Sequence, residues 1–497
     1  MSESNPTGHR AGWHAISAVP ARARQPLTID LDVDVCVVGG GLAGLTTARE
    51  VARRGWSVAV LEAEAVGSGA SGRNCGFVLP GFAEEPAGIV SRVGLQHAKA
   101  LWTLSERGLE YVRRTIRETR MPGVKPVDGW LNVAKFRDDP KTARTLDLLR
   151  DEFGTQAELW PGEQVRSVLQ SPFYCNAIHF PRAFRVHPLN YTLGLAAAAE
   201  AAGARIFERT QALEIDPSGI RKRIRTPSAR VRAAHVVLAG NTGIASLMPR
   251  VAASLLPITT YVAITAPLGP RLAEAVSYRG AVSDSQMADN HYCVVGDDRM
   301  LWSGGMTVWE SDARRFARRL AADVARTFPQ LGHVKIEHIW SGTLSRALHS
   351  MPQIGELSRG LWLASGFGGH GFNTTAIAGE LIARGIVEGD QTWRLFSPYD
   401  LVWAGGPAGR IAAQALYWTR RAGELVKAHL ARRTPAIAAQ QTDAAPAVPP
   451  EPADREIAAS DTPMTETPQP PRKQRVRRPK KNVQPGPEAA EEVSAER

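Results

Sequence analysis

The chain has 497 residues, 43% of them hydrophobic, and a net charge of +11 at neutral pH. This length accommodates two or three domains with a large core. Its four cysteines include no C-x-x-C pair, so we expect no disulfide framework and no metal site. The first thirty residues lack a signal-peptide pattern, and no apolar run approaches the ~20 residues of a membrane span. We therefore expect a soluble, cytoplasmic protein.

The positive charge is unevenly distributed. From Arg433 to Arg497, ten basic and ten acidic residues cancel, so the excess lies in the preceding part of the chain. There it favours attraction of anionic groups or of a membrane surface over specific binding of nucleic acid.

A strand, a glycine-rich turn and a helix follow a loose N-terminal arm. Val33–Val38 is a β-branched apolar run that predicts a buried strand. Gly39, Gly41 and Gly44 follow at G-x-G-x-x-G spacing, and Leu42–Arg53 has helical periodicity. Such glycines permit a tight turn, close approach of the backbone to a pyrophosphate and close packing of helix on strand. The helix N-terminus attracts the phosphates.

The next segment favours a dinucleotide. The predicted strand Val58–Leu61 ends at Glu62, which is placed to accept hydrogen bonds from an adenosine ribose. The loop Gly67–Gly76 (GSGASGRNCG) then occupies the place where a plain nicotinamide-binding domain would begin its next helix. Its small and polar residues suit a ribityl–pyrophosphate chain.

This loop resembles that of the D-amino-acid-oxidase-like flavoproteins, in particular the gamma-glutamylputrescine oxidase branch, which carries a GASGRN-type loop here. The resemblance implies FAD, contacted by Ser71, Arg73 and Asn74 as well as by the glycines. It also implies that the backbone at Ala212 contacts adenine. Val236–Thr242 is similar to the second nucleotide-contacting turn of the family.

Helices of an inserted second domain are predicted at Ile89–Arg120 and Thr142–Phe153, with a strand at Trp130–Phe136. An Arg-Val-His-Pro element then precedes an alanine-rich helix, Leu193–Ala202. Because relatives carry a similar His-Pro at this return to the first domain, we interpret His187 as a structural turn residue rather than a base.

A third block ends the folded part. After the strand Leu361–Ala364, glycines let the backbone approach a ligand, and a helix is predicted from about Asn373. The N-terminus of that helix would stabilise negative charge on a reduced flavin. Met351–Gln353 and Gly369–Gly371 match the oxidase branch. His370 is a weak candidate for a general base, and its glycine neighbours favour packing against the flavin.

These inferences give a fold class and a residue set. We expect an α/β fold, in which an FAD-binding Rossmann-like domain (31–85, 190–250 and 338–400) is interleaved with an antiparallel-sheet α+β substrate domain (86–189 and 251–337). Residues 1–30 form the arm, 401–433 an amphipathic helix and 434–497 a disordered tail. The candidate cofactor-binding residues are Gly39, Gly41, Leu42, Ala43, Gly44, Glu62, Ala63, Ala70, Ser71, Arg73, Asn74, Ala212, Gly240, Gly366, Gly368, Gly369, His370, Gly371 and Asn373.

The amphipathic helix, Pro407–Arg433, carries one apolar stripe. That stripe contains Ile411, Ala415, Trp418, Ala422 and Leu425, and it either packs on the body of the protein or lies on a membrane surface. We favour packing. The basic run Arg472–Lys481 has no interleaved aromatic residues, so a solvated, non-specific run is the preferred interpretation.

The resemblance implies hydride transfer from the carbon that bears nitrogen to flavin N5, giving an imine that water hydrolyses. Non-covalent FAD, a small amine similar to gamma-glutamylputrescine and oxygen as acceptor are expected. The alternatives are a dehydrogenase that passes electrons to a quinone or carrier protein, and an inactive flavoprotein scaffold.

The substrate's reacting carbon is expected to carry no carboxylate. Amino-acid-oxidising relatives grip that carboxylate with an arginine, and counting back from Gly304 places Val294 at this position. Arg182, Arg185 or Arg346 remain alternative sources of a guanidinium from another loop.

Overall fold

The computed structural model describes residues 12–13, 17–135, 140–284, 290–309 and 311–433. The predicted tail, 434–497, and most of the first sixteen residues therefore lie outside the described part. The strands are β1 Leu31–Val38, β2 Val58–Leu61, β3 Phe77–Val78, β4 Val127–Ala134, β5 Glu158–Pro161, β6 Asn176–Arg185, β7 Arg205–Phe207, β8 Glu214–Asp216, β9 Lys222–Arg225, β10 Arg230–Leu238, β11 Leu255–Thr265, β12 Ala281–Asp284, β13 Asn290–Val295, β14 Arg299–Thr307, β15 Ile336–Ala347, β16 Gln353–Ser358 and β17 Leu361–Ser365.

The helices lie between these strands. They are α1 Leu42–Arg53, α2 Ala70–Arg73, α3 Pro86–Val93, α4 Leu95–Thr119, α5 Pro140–Asp147, α6 Gly162–Val168, α7 Pro188–Ala201, α8 Pro249–Ala253, α9 Pro270–Ala275, α10 Arg314–Thr327, α11 Gly371–Glu388 and α12 Gly406–Arg433. A π-helical turn, Leu148–Glu152, continues α5.

The first sheet has the strand order β16-β17-β10-β1-β2-β7, with β9 and β8 added beside β10. Its neighbours from β17 to β7 run parallel, and β16 is antiparallel to β17. Both faces of β1 are covered, because Val35 and Val37 lie in one hydrophobic cluster and Cys36 and Val38 in another. A parallel strand that is covered on both faces consists of consecutive apolar residues. This is why the apolar run Val33–Val38 predicted β1.

The second sheet has the order β15-β11-β14-β13-β12-β4-β6-β3, with β5 beside β6. Its pairs are antiparallel except β12 and β4, which run parallel. One face contributes Trp130, Val262 and Cys293 to the core that also contains the side chains of β1 and α1. The expected α/β fold with an interleaved, largely antiparallel sheet is confirmed.

Three details differ from the expectations. The helix expected over Ile89–Arg120 is two helices, because Gly94 adopts φ +76° and separates α3 from α4. The strand expected at Trp130–Phe136 begins three residues earlier. β15 pairs with β11 in the second sheet, although most of it falls in the range assigned to the nucleotide domain. The division into domain ranges remains a prediction.

Candidate functional site

The candidate site lies where four parallel strands end. β17, β10, β1 and β2 are neighbours in that order, and each is followed by residues that the sequence singled out. These are the Gly366–Gly371 turn, Gly240, the loop Gly39–Gly44 and Glu62, respectively. In open α/β sheets, ligands bind outside the carboxyl ends of the strands. The fold thus brings three separated sequence blocks to one edge.

The three motif glycines occupy positions at which any side chain would clash with neighbouring atoms. A Cβ on Gly44 would lie 2.0 Å from the Gly39 carbonyl oxygen, so a side chain there would push α1 away from the loop. Gly39 adopts φ +115°, and a Cβ on it would lie 2.6 Å from the Ala239 carbonyl oxygen at the end of β10. A Cβ on Gly41 would lie 2.8 Å from Ser71 Oγ. The motif therefore allows three chain segments to meet closely.

Glu62 faces the glycine loop. The Gly40 N–H donates to its Oε2 at 2.6 Å, and the Glu64 N–H donates to its Oε1 at 3.0 Å. Burial raises the pKa of Glu62 above its usual range. The Glu62 carbonyl oxygen accepts from the Thr210 N–H at 2.8 Å, which holds the segment leading to buried Ala212 beside this strand end. Ala63, next along the chain, is exposed.

The second loop is held by its own side chains. Asn74 Nδ2 donates to the carbonyl oxygens of Ala70 and Ser71 at 3.0 and 2.7 Å, and its Oδ1 accepts from the Gly76 N–H. Arg73 Nε donates to the Ser68 carbonyl oxygen at 2.6 Å. The side chains of Arg73 and Asn74 thus fix the shape of this loop, while the Ser71 hydroxyl points to the first turn of α1.

The Gly366–Gly371 turn follows β17 and leads directly into α11. Gly366 and Gly368 adopt φ of +70° and +58°, a backbone region that favours glycine. The Gly368 N–H donates to the Ser345 carbonyl oxygen at 3.0 Å. Around Gly369 and Gly371, an added Cβ would have no heavy atom within 4 Å. The turn is thus hydrogen-bonded to β15 at Gly368, whereas Gly369 and Gly371 face open space.

Asn373 and His370 differ in their surroundings. Asn373 is 1% exposed, and its Nδ2 donates to the Gly81 carbonyl oxygen at 2.8 Å, so its side chain points into the protein. His370 is half-buried as a residue. Burial of its ring, with the nearby charges of His291 and Arg346, lowers the pKa of His370 to about 4. Its imidazole is neutral at physiological pH.

A group of aromatic rings that the sequence analysis missed lies close to His370. The rings of Phe77, Trp130 and His291 have centroids 5.1 to 6.1 Å apart. They come from three strands of the second sheet that are distant in sequence, so periodicity along one strand gives no signal for the group. The one available hint was a histidine next to the apolar run Tyr292–Val295 of β13.

Val294, which the sequence comparison aligns with an arginine of the relatives, lies on the outer face of the second sheet. Val294 lies with Tyr292 in a hydrophobic cluster, whereas Cys293 belongs to the core shared with β1. Because alternate residues of a strand point to opposite faces, Val294 faces away from the first sheet. His291 and Cys293 occupy the face of β13 that is turned towards it.

The three alternative arginines have different surroundings. Arg346 forms a backbone bridge with Phe367 in the glycine turn, and its Nε and Nη2 donate to Ser350 Oγ at 3.0 and 2.8 Å. The Arg182 side chain is 57% exposed and pairs with Glu110, 3.5 Å away. Arg185 Nε donates to the Arg279 carbonyl oxygen. Of the three, Arg346 adjoins the turn.

His187 has a structural role in this fold. It is the N-cap of α7, and its Nδ1 accepts from the Asn190 N–H at 3.1 Å. Its ring packs on Trp13, with 4.6 Å between centroids. These contacts agree with the interpretation of His187 as a turn residue.

The family model for FAD-dependent oxidoreductases of the DAO type matches residues 34–384. This chain belongs to the DAO family. Proteins of the family use FAD. The chain is 31% identical over 391 residues to the gamma-glutamylputrescine oxidoreductase of Escherichia coli (strain K12). The aligned region covers 77% of this chain and 90% of that protein. It is 30% identical over 384 residues to the probable oxidoreductase OrdL of Haemophilus influenzae, covering 75% of this chain and 86% of the relative.

Solved structures show the same fold. Glycine oxidase from Geobacillus kaustophilus superposes with a TM-score of 0.63 at 22% identity, covering 75% of this chain and 99% of the other. L-proline dehydrogenase from P. horikoshii gives the same TM-score and identity, covering 74% and 98%. At this identity the likeness concerns the fold of the DAO family.

The described residues offer neither a metal cluster nor a membrane-spanning helix. No cluster of three or more His, Cys, Asp or Glu side chains in this part of the chain is arranged to hold a metal ion. Within the same ranges, none of the helices has both the length and the apolar character needed to cross a membrane.

Proposed function

We propose that this DAO-family chain oxidises a carbon–nitrogen bond of an amine similar to gamma-glutamylputrescine. The product is an imine that water hydrolyses to an aldehyde, the cofactor is non-covalently bound FAD, and oxygen is the electron acceptor. The observation that carries the proposal is the similarity to gamma-glutamylputrescine oxidoreductase, which extends over 90% of that protein's length. The DAO family model, which matches residues 34–384, spans the candidate site from Gly39 to Asn373.

The carboxyl ends of the four strands support the binding of FAD. Ser365 Oγ, at the end of β17, is buried without a hydrogen-bond partner in the described part of the chain, so a polar group remains available at this edge. The first-turn amides of Ala43 and Gly44 have no acceptor within α1, as at every helix N-terminus. We assign the phosphates to these amides and the ribose to Glu62. FAD, when bound, accepts a hydride at its N5 atom.

The glycine turn supports a flavin ring beside α11. The open side of Gly369 and Gly371 allows the backbone to approach a flat ligand without obstruction. Helix α11 has no acidic residue in its first turn, so its N-terminus stabilises negative charge on a reduced ring. Because His370 is neutral, we assign it to packing and hydrogen bonding at this position rather than to proton abstraction.

The surroundings of the arginines support a substrate without a carboxylate on the reacting carbon. Arg346 uses two of its donors on Ser350, and Arg182 and Arg185 are engaged elsewhere. A carboxylate at the reacting centre would require a guanidinium that presents two parallel donors. The neutral amine is held instead between the flavin and the face that carries Trp130 and His291. There the protein acts mainly by orienting the reacting bond.

Anaerobic flavin reduction tests this proposal. Bleaching of the flavin absorbance is recorded with gamma-glutamylputrescine and simple alkylamines, and compared with glycine, sarcosine and D-alanine. We expect the amines to reduce the flavin faster. Faster bleaching by the three amino acids would contradict the amine assignment and place this chain with the amino-acid oxidases of the family.

A second candidate is a dehydrogenase that passes electrons to a quinone or a carrier protein, with peripheral membrane contact through α12. The exposed apolar residues of that helix favour this candidate. The acceptor is determined by mixing reduced enzyme with oxygen or with a soluble quinone. Stoichiometric peroxide supports the oxidase, whereas slow reoxidation by oxygen and rapid reoxidation by the quinone supports the dehydrogenase.

A further inference from the structure

Helix α12 packs against the body of the protein through its polar residues. Gln414 is 2% exposed, and its Oε1 accepts from the Val308 N–H at 3.0 Å. The Tyr417 hydroxyl accepts from Arg319 of α10 at 3.1 Å, and Arg421 pairs with Asp323 of α10 at 3.4 Å. These three residues recur at i, i+3 and i+7, so they define the inner face of the helix.

The outer face of α12 is apolar, which corrects the expectation that its stripe packs inward. Ile411 and Trp418 are 59% and 61% exposed, and Leu416 is also exposed. Most of the remaining outward residues between Ile411 and Gly423 are uncharged and small: Ala412, Ala415, Thr419, Ala422 and Gly423. Arg420 is the one charged residue exposed within this stretch. Three turns of helix, about 16 Å, thus present a mainly apolar face to the surroundings. The periodicity of the sequence identified the apolar stripe. It could not predict that Gln414 would bind the body of the protein and so turn the stripe outward.

Further aromatic and aliphatic side chains are exposed close to this helix. Val402 and Trp403 lie just before α12 and are exposed. Trp309 is also exposed and follows the Val308 N–H that Gln414 binds. Several large exposed apolar side chains on and next to one helix are typical of an interaction site. Three exposed tryptophans, counting Trp418, are typical of surfaces at the membrane–water interface.

A positively charged helix adjoins this face. On α10, Arg314, Arg315 and Arg318 are exposed and belong to no ion pair among the described residues, and α10 contacts α12 through Arg319 and Asp323. Arg410 and Arg420 of α12 are exposed as well. Apolar and cationic side chains on neighbouring helices are the combination that anionic lipid surfaces attract.

We propose that the outer face of α12, together with Trp403, Trp309 and the arginines of α10, docks on an anionic membrane surface. The positive charge near this face favours an anionic membrane over a second copy of the chain as its binding partner. A two-fold interface through the same face would bring the arginines of one α10 close to those of its mate, and like charges repel. The proposal does not depend on the substrate, because α12 binds the body through β14 and α10 rather than through the candidate active site.

Vesicle binding by the full-length flavoprotein tests the proposal. Co-sedimentation is measured with vesicles of phosphatidylcholine alone and of phosphatidylcholine with phosphatidylglycerol. We expect binding to the anionic vesicles that weakens with added salt. The variant Trp418→Glu should lose about tenfold or more in affinity, because it places a charge in the apolar face. Ile220→Glu, at a site that is 91% exposed and lies between β8 and β9, should bind as the unsubstituted protein does.

The cationic contribution is tested separately. Each arginine near an anionic surface strengthens binding roughly fivefold, so Arg314→Glu with Arg318→Glu should lower affinity at least about 25-fold. The matched control is Arg205→Glu with Arg359→Glu, which changes charge equally at two exposed sites elsewhere. Unchanged flavin content in every variant verifies the fold.

Three results would overturn the proposal. The first is equal binding of the protein to neutral and anionic vesicles. The second is a protein that binds no vesicles but forms a concentration-dependent dimer, which the Trp418→Glu substitution dissociates. The third is vesicle binding that occurs only after the chain is truncated at Arg433. The last would assign the face to residues 434–497. Because none of these measurements requires turnover, failure here leaves the proposed reaction untouched.

Discussion

The Ser71 hydroxyl accepts a hydrogen bond from the Leu42 N–H at 3.0 Å, which joins the second loop of the candidate FAD site to the first turn of α1. The Thr192 hydroxyl in turn donates to the Ser71 carbonyl oxygen at 3.3 Å. Gly41 itself offers no side chain to cap the helix. A residue thirty positions later therefore performs the capping, and the two loops form one unit.

Substitution of Ser71 by alanine should weaken FAD binding. The variant leaves the Leu42 N–H without its acceptor and loosens the second loop, at a cost of about 1 kcal/mol, or roughly a fivefold rise in Kd. Titration of the apoprotein with FAD, followed by flavin fluorescence, measures this change. Ser228→Ala, at an exposed site, is the control. Equal Kd values for the two variants would show that the loops are not coupled through this hydroxyl.

Local patterns predicted the first block well, and the reason is physical. The helix Leu42–Arg53 and the strand Val58–Leu61 have the expected boundaries. The glycine spacing marks the end of one strand and the start of one helix within a few residues of sequence. A buried parallel strand also leaves a continuous apolar run. Both patterns are contained in a short stretch of sequence, although distant segments pack against these elements in the fold.

Features built from distant contacts were not predictable in this way. The grouping of Phe77, Trp130 and His291 depends on the order of β3, β4 and β13 within the second sheet. The orientation of α12 depends on Gln414 meeting the end of β14, which no helical periodicity encodes. In both cases the partner is chosen by tertiary packing rather than by neighbours in sequence.

Two adjacent glycines of the turn should respond differently to valine. Gly369 has space around an added Cβ, so Gly369→Val should fold normally but shift the flavin absorption spectrum and lower FAD content. Gly368 has φ +58°, and its Cβ would lie 2.8 Å from Ala83 Cβ, so Gly368→Val should be destabilised by about 2 kcal/mol or more. Thermal unfolding and absorption spectra separate the two effects. A native spectrum and full FAD content in Gly369→Val would place the turn away from the flavin.

FAD should be released by acid, because Cys75 is a poor nucleophile here. Burial raises the pKa of the Cys75 thiol to about 12, so the thiolate needed for attack on a flavin ring is scarce at neutral pH. Acid precipitation should leave a yellow supernatant for both the unsubstituted protein and Cys75→Ser. A covalent linkage would instead leave the pellet of the unsubstituted protein yellow and the pellet of Cys75→Ser colourless.

The neutral state of His370 should make the protein less stable as the pH falls. Its pKa is about 4 in the folded chain and near 6.5 when unfolded, so between these values the unfolded state binds more protons. Stability is therefore lost as the pH falls below about 6.5, and the loss amounts to about 2 kcal/mol at pH 5. Asp284 acts in the opposite direction, because burial raises its pKa to about 6 and its carboxyl is more easily accommodated when protonated.

A variant comparison isolates the histidine from that opposing effect. Urea unfolding with excess FAD is measured at pH 7 and pH 5 for the unsubstituted protein and for His370→Asn, which keeps a polar side chain but does not titrate. The free energy of unfolding should fall by about 2 kcal/mol more in the unsubstituted protein. His333→Asn, which removes an exposed histidine between α10 and β15, is the control and should leave the difference unchanged. An identical pH dependence in His370→Asn and the unsubstituted protein would mean that His370 binds protons equally in the folded and unfolded chain, so that folding does not lower its pKa.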